Sequence, residues 1–266
     1  MQASGPLCVG IDPHPALLEA WGLENTADGV RSFSLAVVEA MAGAAAILKP
    51  QVALYERFGS KGFAALEDTL SAAKAAGLLT LADAKRGDIG STMAAYATAW
   101  LDDASPLASD AVTLSPYLGY ESLRPALDLA AATGRGVFVL GLTSNPEGPS
   151  VQHVGGGNSV AKTIIDQVTA ENSSAEDLGH VGLVVGATIG DAPAKLGIDL
   201  AASKAPLLTP GLGAQGATAA DIAKSFASSY GQVLGTSSRD ILKAGPDKTA
   251  LRDKALRVRD ELLAAS

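Results

Sequence analysis

Eight short apolar runs recur along the chain, each closing on a polar or turn residue. They are PLCVGID (6–12), AAAILKP (44–50), LLTLADAK (78–85), DAVTLSP (110–116), GVFVLGLT (136–143), VGLVVGAT (181–188), APLLTPG (205–211) and GQVLGTS (231–237). Near-continuous hydrophobicity over so few residues suits strands buried on both faces, as in a parallel sheet. A half-solvated strand would alternate instead.

Between the runs lie stretches of helical character. GVRSFSLAVVEAMAG (29–43) and GFAALEDTLSAAKAAG (62–77) both stop at glycine, a common helix end. YESLRPALDLAAATG (120–134) is predicted to begin with a short turn broken near Pro125, and NSVAKTIIDQVTAENS (158–173) to begin at an Asn cap. TAADIAKSFASSYG (218–231) and KTALRDKALRVRDELLAA (248–265) complete the set. Strands alternating with helices predict a (β/α)8 barrel, with residues 1–266 as one catalytic domain. An open doubly wound sheet is the alternative, and the count of strands favours the barrel. The irregular, Gly-rich stretch SNPEGPSVQHVGGG (144–157) follows the fifth strand and reads as a mobile active-site loop.

Composition narrows the function classes. The chain has 266 residues, is 47% hydrophobic, and carries 28 acidic against 20 basic residues for a net charge of −8. No Lys/Arg block stands out, so nucleic acid is not an expected partner, and an anionic ligand must be attracted by local cations. One cysteine, Cys8, excludes a disulfide within the chain and suits a reduced, cytoplasmic setting. It sits in an apolar run and reads as a buried core residue. The N-terminal segment lacks the features of a signal peptide, and no apolar run reaches the roughly 18 residues that a membrane span needs.

In a parallel barrel, chemistry collects where strands end. Asp12, Lys49, Asp83, Lys85, Thr143, Ser144, Thr209, Pro210 and Arg239 all fall there. Asp83 and Lys85, two apart, are expected on one side of their strand, with Ala84 facing the helices. Lys49 approaches from the neighbouring strand, and Asp88 lies just beyond. One Lys–Asp pair would read as a stabilising ion pair. Alternating charges from two adjacent strand ends read as a site, because opposite signs let them persist in a partly dry place. A charged lysine there can stabilise a developing anion and then protonate it. Two aspartates could also hold Mg²⁺, but the interleaved lysines already bring positive charge.

The stretch TPGLGAQGATAAD (209–221) is Gly-rich and opens onto a helix. Its backbone N–H groups and that helix start are candidates to hold a phosphate, with Arg239 supplying a bidentate contact. His14, His153 and His180 show no metal-ligand spacing. Neither G-x-G-x-x-G after a strand nor a Walker-type loop occurs, so a nucleotide cofactor is not indicated.

These residues resemble a known family. DAKRGDIGST (83–92) is similar to the signature of orotidine 5′-phosphate decarboxylases, and CVGIDP, LKPQVALYE, LTSNPEG and TPGLGAQG follow in the family's order. KPQVALYERFG and TSNP resemble the bacterial type 2 subgroup. The resemblance implies a barrel that converts orotidine monophosphate to uridine monophosphate and CO₂ without metal or organic cofactor, in pyrimidine biosynthesis. It implies Lys49, Asp83, Lys85 and Asp88 as the charged tetrad, with Lys85 the proton donor. Asp12 with Lys49 would contact the ribose hydroxyls. Ser144 would read the pyrimidine edge, a role open also to the adjacent Thr143 and Asn145. Pro210, Gln215 and Arg239 would surround the ring and phosphate. Ser238 stands where many relatives carry Gly, which bears on the backbone contact there. The resemblance further implies a homodimer, with Asp88, Ile89 and Thr92 reaching the partner's site. Related barrels acting on sugar phosphates share D-x-K-x-x-D but use Mg²⁺ and carry an acidic residue where this chain has Lys49. A non-catalytic nucleotide-binding barrel would keep Arg239 and Gln215 without needing the Lys/Asp array.

Overall fold

All eight apolar runs fold as strands: β1 (Leu7–Ile11), β2 (Ile47–Pro50), β3 (Leu79–Arg86), β4 (Ala111–Leu114), β5 (Gly136–Leu142), β6 (Val181–Val185), β7 (Leu207–Pro210) and β8 (Val233–Ser237). The structure is a computed structural model describing residues 5–213 and 216–265. The strands are parallel, and each pairs with the next in sequence. β8 closes on β1 through Leu7↔Gly235 and Cys8↔Thr236, so the sheet is a barrel without edges. The open-sheet alternative is thereby excluded.

Two apolar compartments follow from the strand period of two. One inward residue per strand, Cys8, Ile47, Leu81, Ala111, Phe138, Val184, Leu208 and Leu234, forms a plug inside the barrel. The alternating residues, among them Leu7, Val9, Leu48, Ala82 and Val139, face outward into a larger core shared with the helices. The strands are thus covered on both sides, which is why their sequences are so uniformly apolar.

Helices α1 (Ala27–Met41), α2 (Gly59–Ala75), α3 (Gly90–Leu101), α4 (Arg124–Thr133), α5 (Val160–Glu171), α6 (Ala192–Lys195), α7 (Ala219–Ser225) and α8 (Lys248–Ala264) follow β1 to β8 in turn. Their apolar stripes dock on the barrel. In α1, Val30, Phe33, Val37 and Met41 are buried at helical spacing; in α8, Leu251, Ala255, Val258 and Leu262 do the same. Local signals set the ends. Thr26 caps α1 by accepting from Gly29 N, and Gly134 closes α4 in the left-handed conformation.

Three local expectations are corrected. The cap of α5 is Ser159, whose hydroxyl accepts from Lys162 N, because Asn158 is used in a 3₁₀ turn, Gly156–Asn158. The helix predicted through 231 stops at Ser225. Phe226 leaves helical geometry at φ −115°, and the buried Ser229 hydroxyl bonds its carbonyl. The six segments read as helical also left out α3 and α6; α6 has one turn only, bounded by Pro193 at its start and Gly197 (φ 65°) after it. Among the described residues, no helix is long and apolar enough to cross a membrane.

Candidate active site

The alternation that fills the barrel also builds the site. Two residues above the apolar plug, the inward positions become Gly10, Lys49, Asp83, Thr113, Leu140, Gly186, Pro210 and Thr236. Apolar side chains thus give way to polar and small ones at one level, the C-terminal mouth. Above them open Asp12, Gln51, Lys85 and Ser238. Most of these residues line a cleft of about 630 Å³, together with Thr143, Ser144, Asn145, Gly211, Leu212 and Arg239.

Asp83 is the centre of this layer. Its Oδ2 accepts from Lys49 Nζ at 2.8 Å and from Gln51 Nε2 at 3.0 Å. Its Oδ1 accepts from Lys85 Nζ at 2.5 Å and from Thr113 Oγ1 at 2.9 Å. Four donors on one buried carboxylate compensate its loss of water. Burial alone would push its pKa up, but the charges and hydrogen bonds of Lys49 and Lys85 outweigh burial and hold it well below the ordinary carboxylate range. Lys49 is buried as well. Burial works against its ammonium, yet Asp83 and Asp12 overcome this and raise its pKa above the usual lysine value. The pair is therefore ionic at neutral pH. Lys85 differs from Lys49 in access: its side chain is 45% exposed against 5%. One lysine is a fixture; the other faces the cleft.

Lys85 does not reach Asp83 by plain alternation. Its φ is +47°, in the left-handed region that non-glycine residues rarely occupy. The β3–β4 register shifts here: β3 advances from Ala82 to Arg86 while β4 advances only from Val112 to Leu114. Ala84 faces the outer core as expected. Arg86 anchors the far side of the bulge, ion-paired to Glu56 and lying over the rings of Tyr96 and Trp100.

At the opposite rim, Arg239 begins a four-residue helical turn, Arg239–Leu242, lines the cleft and is exposed. No other described residue hydrogen-bonds or ion-pairs with its guanidinium. At the start of α7, Thr218 and Asp221 form a reciprocal capping box that takes the N–H groups of those two residues. Arg239 is the candidate cation for an anion at this rim, where Gly211 and Leu212 also line the cleft and Gly213 N donates to Ala217 O. Gln215 lies outside the described residues. Ser238 packs against Gly10 so closely that a Cβ at Gly10 would sit 1.9 Å from its hydroxyl oxygen. Beside it, Asp12 Oδ1 is buried without a hydrogen-bond partner. That is an acceptor awaiting a donor.

On the cleft's third side, Thr143 is clamped by Gln152. Its N–H donates to Gln152 Oε1 at 2.9 Å, and Gln152 Nε2 donates to its hydroxyl at 2.6 Å. Ser144 lines the cleft and packs against Gly186, where a Cβ would come within 3.0 Å of its Oγ.

Three sequence-derived candidates stand apart from this cleft. Asp88, Ile89 and Thr92 do not line it. Asp88 Oδ1 accepts from Ile89 N, and Ile89 is 63% exposed. His14 precedes the short helix Pro15–Ala20 and is not in the lining either. Cys8 is in the barrel plug, with its thiol pKa pushed up to about 12 by burial. Two residues escaped sequence reasoning, Gln51 and Thr113. Each lies two positions beyond an inward plug or site residue, so the strand period alone would have found them. Among the described residues, no three His, Cys, Asp or Glu side chains group as metal ligands would.

Comparison with known proteins places the whole chain beside one family. Residues 5–253 match the profile of the orotidine 5′-phosphate decarboxylase / HUMPS family. The chain is 57% identical over 263 residues to an orotidine 5′-phosphate decarboxylase of Salinispora tropica, covering 98% of this chain and 93% of that one. It is 55% identical over 268 residues to one of Streptomyces coelicolor, covering 100% and 95%. A solved Streptomyces avermitilis protein, provisionally assigned the same activity, superposes with a TM-score of 0.95 at 53% identity, covering 100% and 92%. The OMP decarboxylase of Leishmania donovani superposes with a TM-score of 0.78 at 29% identity, covering 98% and 94%.

Proposed function

The chain belongs to the orotidine 5′-phosphate decarboxylase / HUMPS family, and from that membership we propose that it is a carboxy-lyase converting orotidine 5′-phosphate to uridine 5′-phosphate and CO₂ without a cofactor. The observation that carries the mechanism is the lysine–aspartate–lysine array, Lys49–Asp83–Lys85, at the barrel mouth.

The reaction breaks the bond between C6 and its carboxylate and leaves the electron pair on C6. Enzymes lower barriers by about 8–23 kcal/mol, and a carbanion with so little resonance help calls for the upper part. Lys85 supplies a positive charge at that carbon and then gives its proton to C6; water restores the proton afterwards. Asp83, kept ionised by its four donors, fixes the ammonium. Lys49 keeps Asp83 anionic and, with the unpartnered Asp12 oxygen, suits the ribose hydroxyls. Arg239, exposed and unpaired among the described residues, suits the phosphate, with the Ser238 and Pro210 backbone beside it. Gln215 is assigned to the same phosphate by family resemblance. Ser144, held near Gly186, suits the pyrimidine edge, with Thr143 tied down behind it.

The active form is a homodimer. Ile89, Tyr117 and Leu118 are 63%, 82% and 55% exposed. They sit on two neighbouring loops, since Ser115 N donates to Arg86 O and Gly87 packs on Ser115. A second copy covering this surface would bring Asp88, Ile89 and Thr92 towards its own cleft.

The test is loss of orotidine absorbance with purified protein, run with and without EDTA. Turnover that ignores the chelator is expected. No turnover would reject the activity. Turnover abolished by chelator would contradict the cofactor-free mechanism.

A further inference from the structure

Thr113 enters the reaction as described above only as one of four donors to Asp83, yet it also touches the backbone of Lys85. The residue is fully buried on β4, at the level of Asp83. Its hydroxyl accepts from the Lys85 backbone N–H at 2.9 Å. The same oxygen donates its one proton to Asp83 Oδ1 at 2.9 Å. Asp83 Oδ1 then receives Lys85 Nζ at 2.5 Å. The three contacts close a ring through Lys85's own side chain.

The ring sits where β3 is bulged and Lys85 holds φ +47°. In a regular strand the Lys85 amide, two residues after Asp83, would face β2, as Asp83 does when its carbonyl accepts from Val52 N. At the bulge the amide turns to β4 instead, and a left-handed backbone persists only when its surroundings over-determine it. Thr113 supplies the acceptor there. A hydroxyl can do this and also donate to Asp83; a methyl cannot.

We propose that Thr113 is a positioning residue, whose hydroxyl locks the bulged backbone of Lys85 and joins it to Asp83, so that the ammonium is delivered at one height above the barrel plug. This rests on the decarboxylase reading and deepens it. The hydroxyl does not reach substrate, so its loss should leave binding intact and slow the chemical step.

The experiment compares the wild-type protein with Thr113→Val, which keeps the shape, and Thr113→Ser, which keeps the hydroxyl. Steady-state decarboxylation of orotidine 5′-phosphate is measured, and the crystal structure of the Val variant is determined. The Val variant is expected to lose about 10- to 100-fold in kcat with KM changed less than about threefold, and the Ser variant to stay within about threefold of wild type. In the Val crystal, Lys85 should leave the left-handed region. Thr113→Ala takes the same measurements should the Val variant not fold. Wild-type kcat in the hydroxyl-free variant, or an equal loss in the Ser variant, would overturn the proposal. Inactivity of the wild-type protein would instead reject the decarboxylase reading. The Lys85 backbone in the variant crystal would still decide the positioning claim.

Discussion

Asp83 shows how much of this protein is decided by single side chains. Its carboxylate stays ionised because two ammonium groups and two neutral donors replace water. Its folded pKa is lowered, so the unfolded chain binds a proton at higher pH than the folded one. Its contribution to stability is full above about pH 4 and is lost as pH falls through the depressed folded value. Lys49 has the opposite sign. Its folded pKa is raised, so its contribution is full below the ordinary lysine value and is lost as pH rises through the folded one. Urea midpoints are therefore expected to fall at both extremes, and Asp83→Asn should flatten the acid limb. That variant should also cost about 3–5 kcal/mol at neutral pH, because it strands a buried lysine. Cys8 provides an independent check. With its thiol buried and raised to about 12, it should resist alkylation at pH 8 in the native protein and react fully in denaturant. The sequence made Asp83, Lys85, Lys49 and Asp12 legible, because charges at strand ends stand out against apolar runs. Thr113 and Gln51 were not legible that way. They are neutral, and only their inward register reveals them.

At the level of elements, the strands were readable because burial on both faces leaves an unbroken apolar signature. Helices were readable where they carried a long stripe, as in α1 and α8. The readings failed where stability is not written as periodicity. The single turn of α6 is set by Pro193 and Gly197, and at the end of α7 the Ser229 hydroxyl bonds the Phe226 carbonyl. The bulge in β3 was also hidden. Alternation correctly put Lys85 on Asp83's side, but through a backbone that alternation does not describe. The loop after β5 was expected to be mobile, yet its base is tethered by the Gln152–Thr143 pair. Gln152→Ala should release Thr143 and Ser144, raising KM for the nucleotide about 5- to 10-fold with little change in Tm. Steady-state kinetics beside a thermal melt would check it, and an unchanged KM would remove the loop from substrate binding.

At the scale of the molecule, the barrel divides labour between its two ends. The plug from Cys8 to Leu234 is apolar and buried, while the polar layer above it holds the candidate site. A single copy leaves the site with Asp88 turned away and three apolar side chains exposed on the adjoining loops. Ile89→Asp is accordingly expected to halve the mass seen in solution scattering and to abolish turnover. A variant that stays dimeric and active would count against a shared site. The proposed dependence on a second copy could not be read from spacing within one chain.

The central claim is that the Lys85 ammonium delivers the proton to C6. Its most direct test is the decarboxylation rate of Lys85→Ala, measured beside binding of uridine 5′-phosphate to the same preparation. Retained nucleotide binding with no detectable turnover is the expected result. Decarboxylation at the wild-type rate would contradict the mechanism.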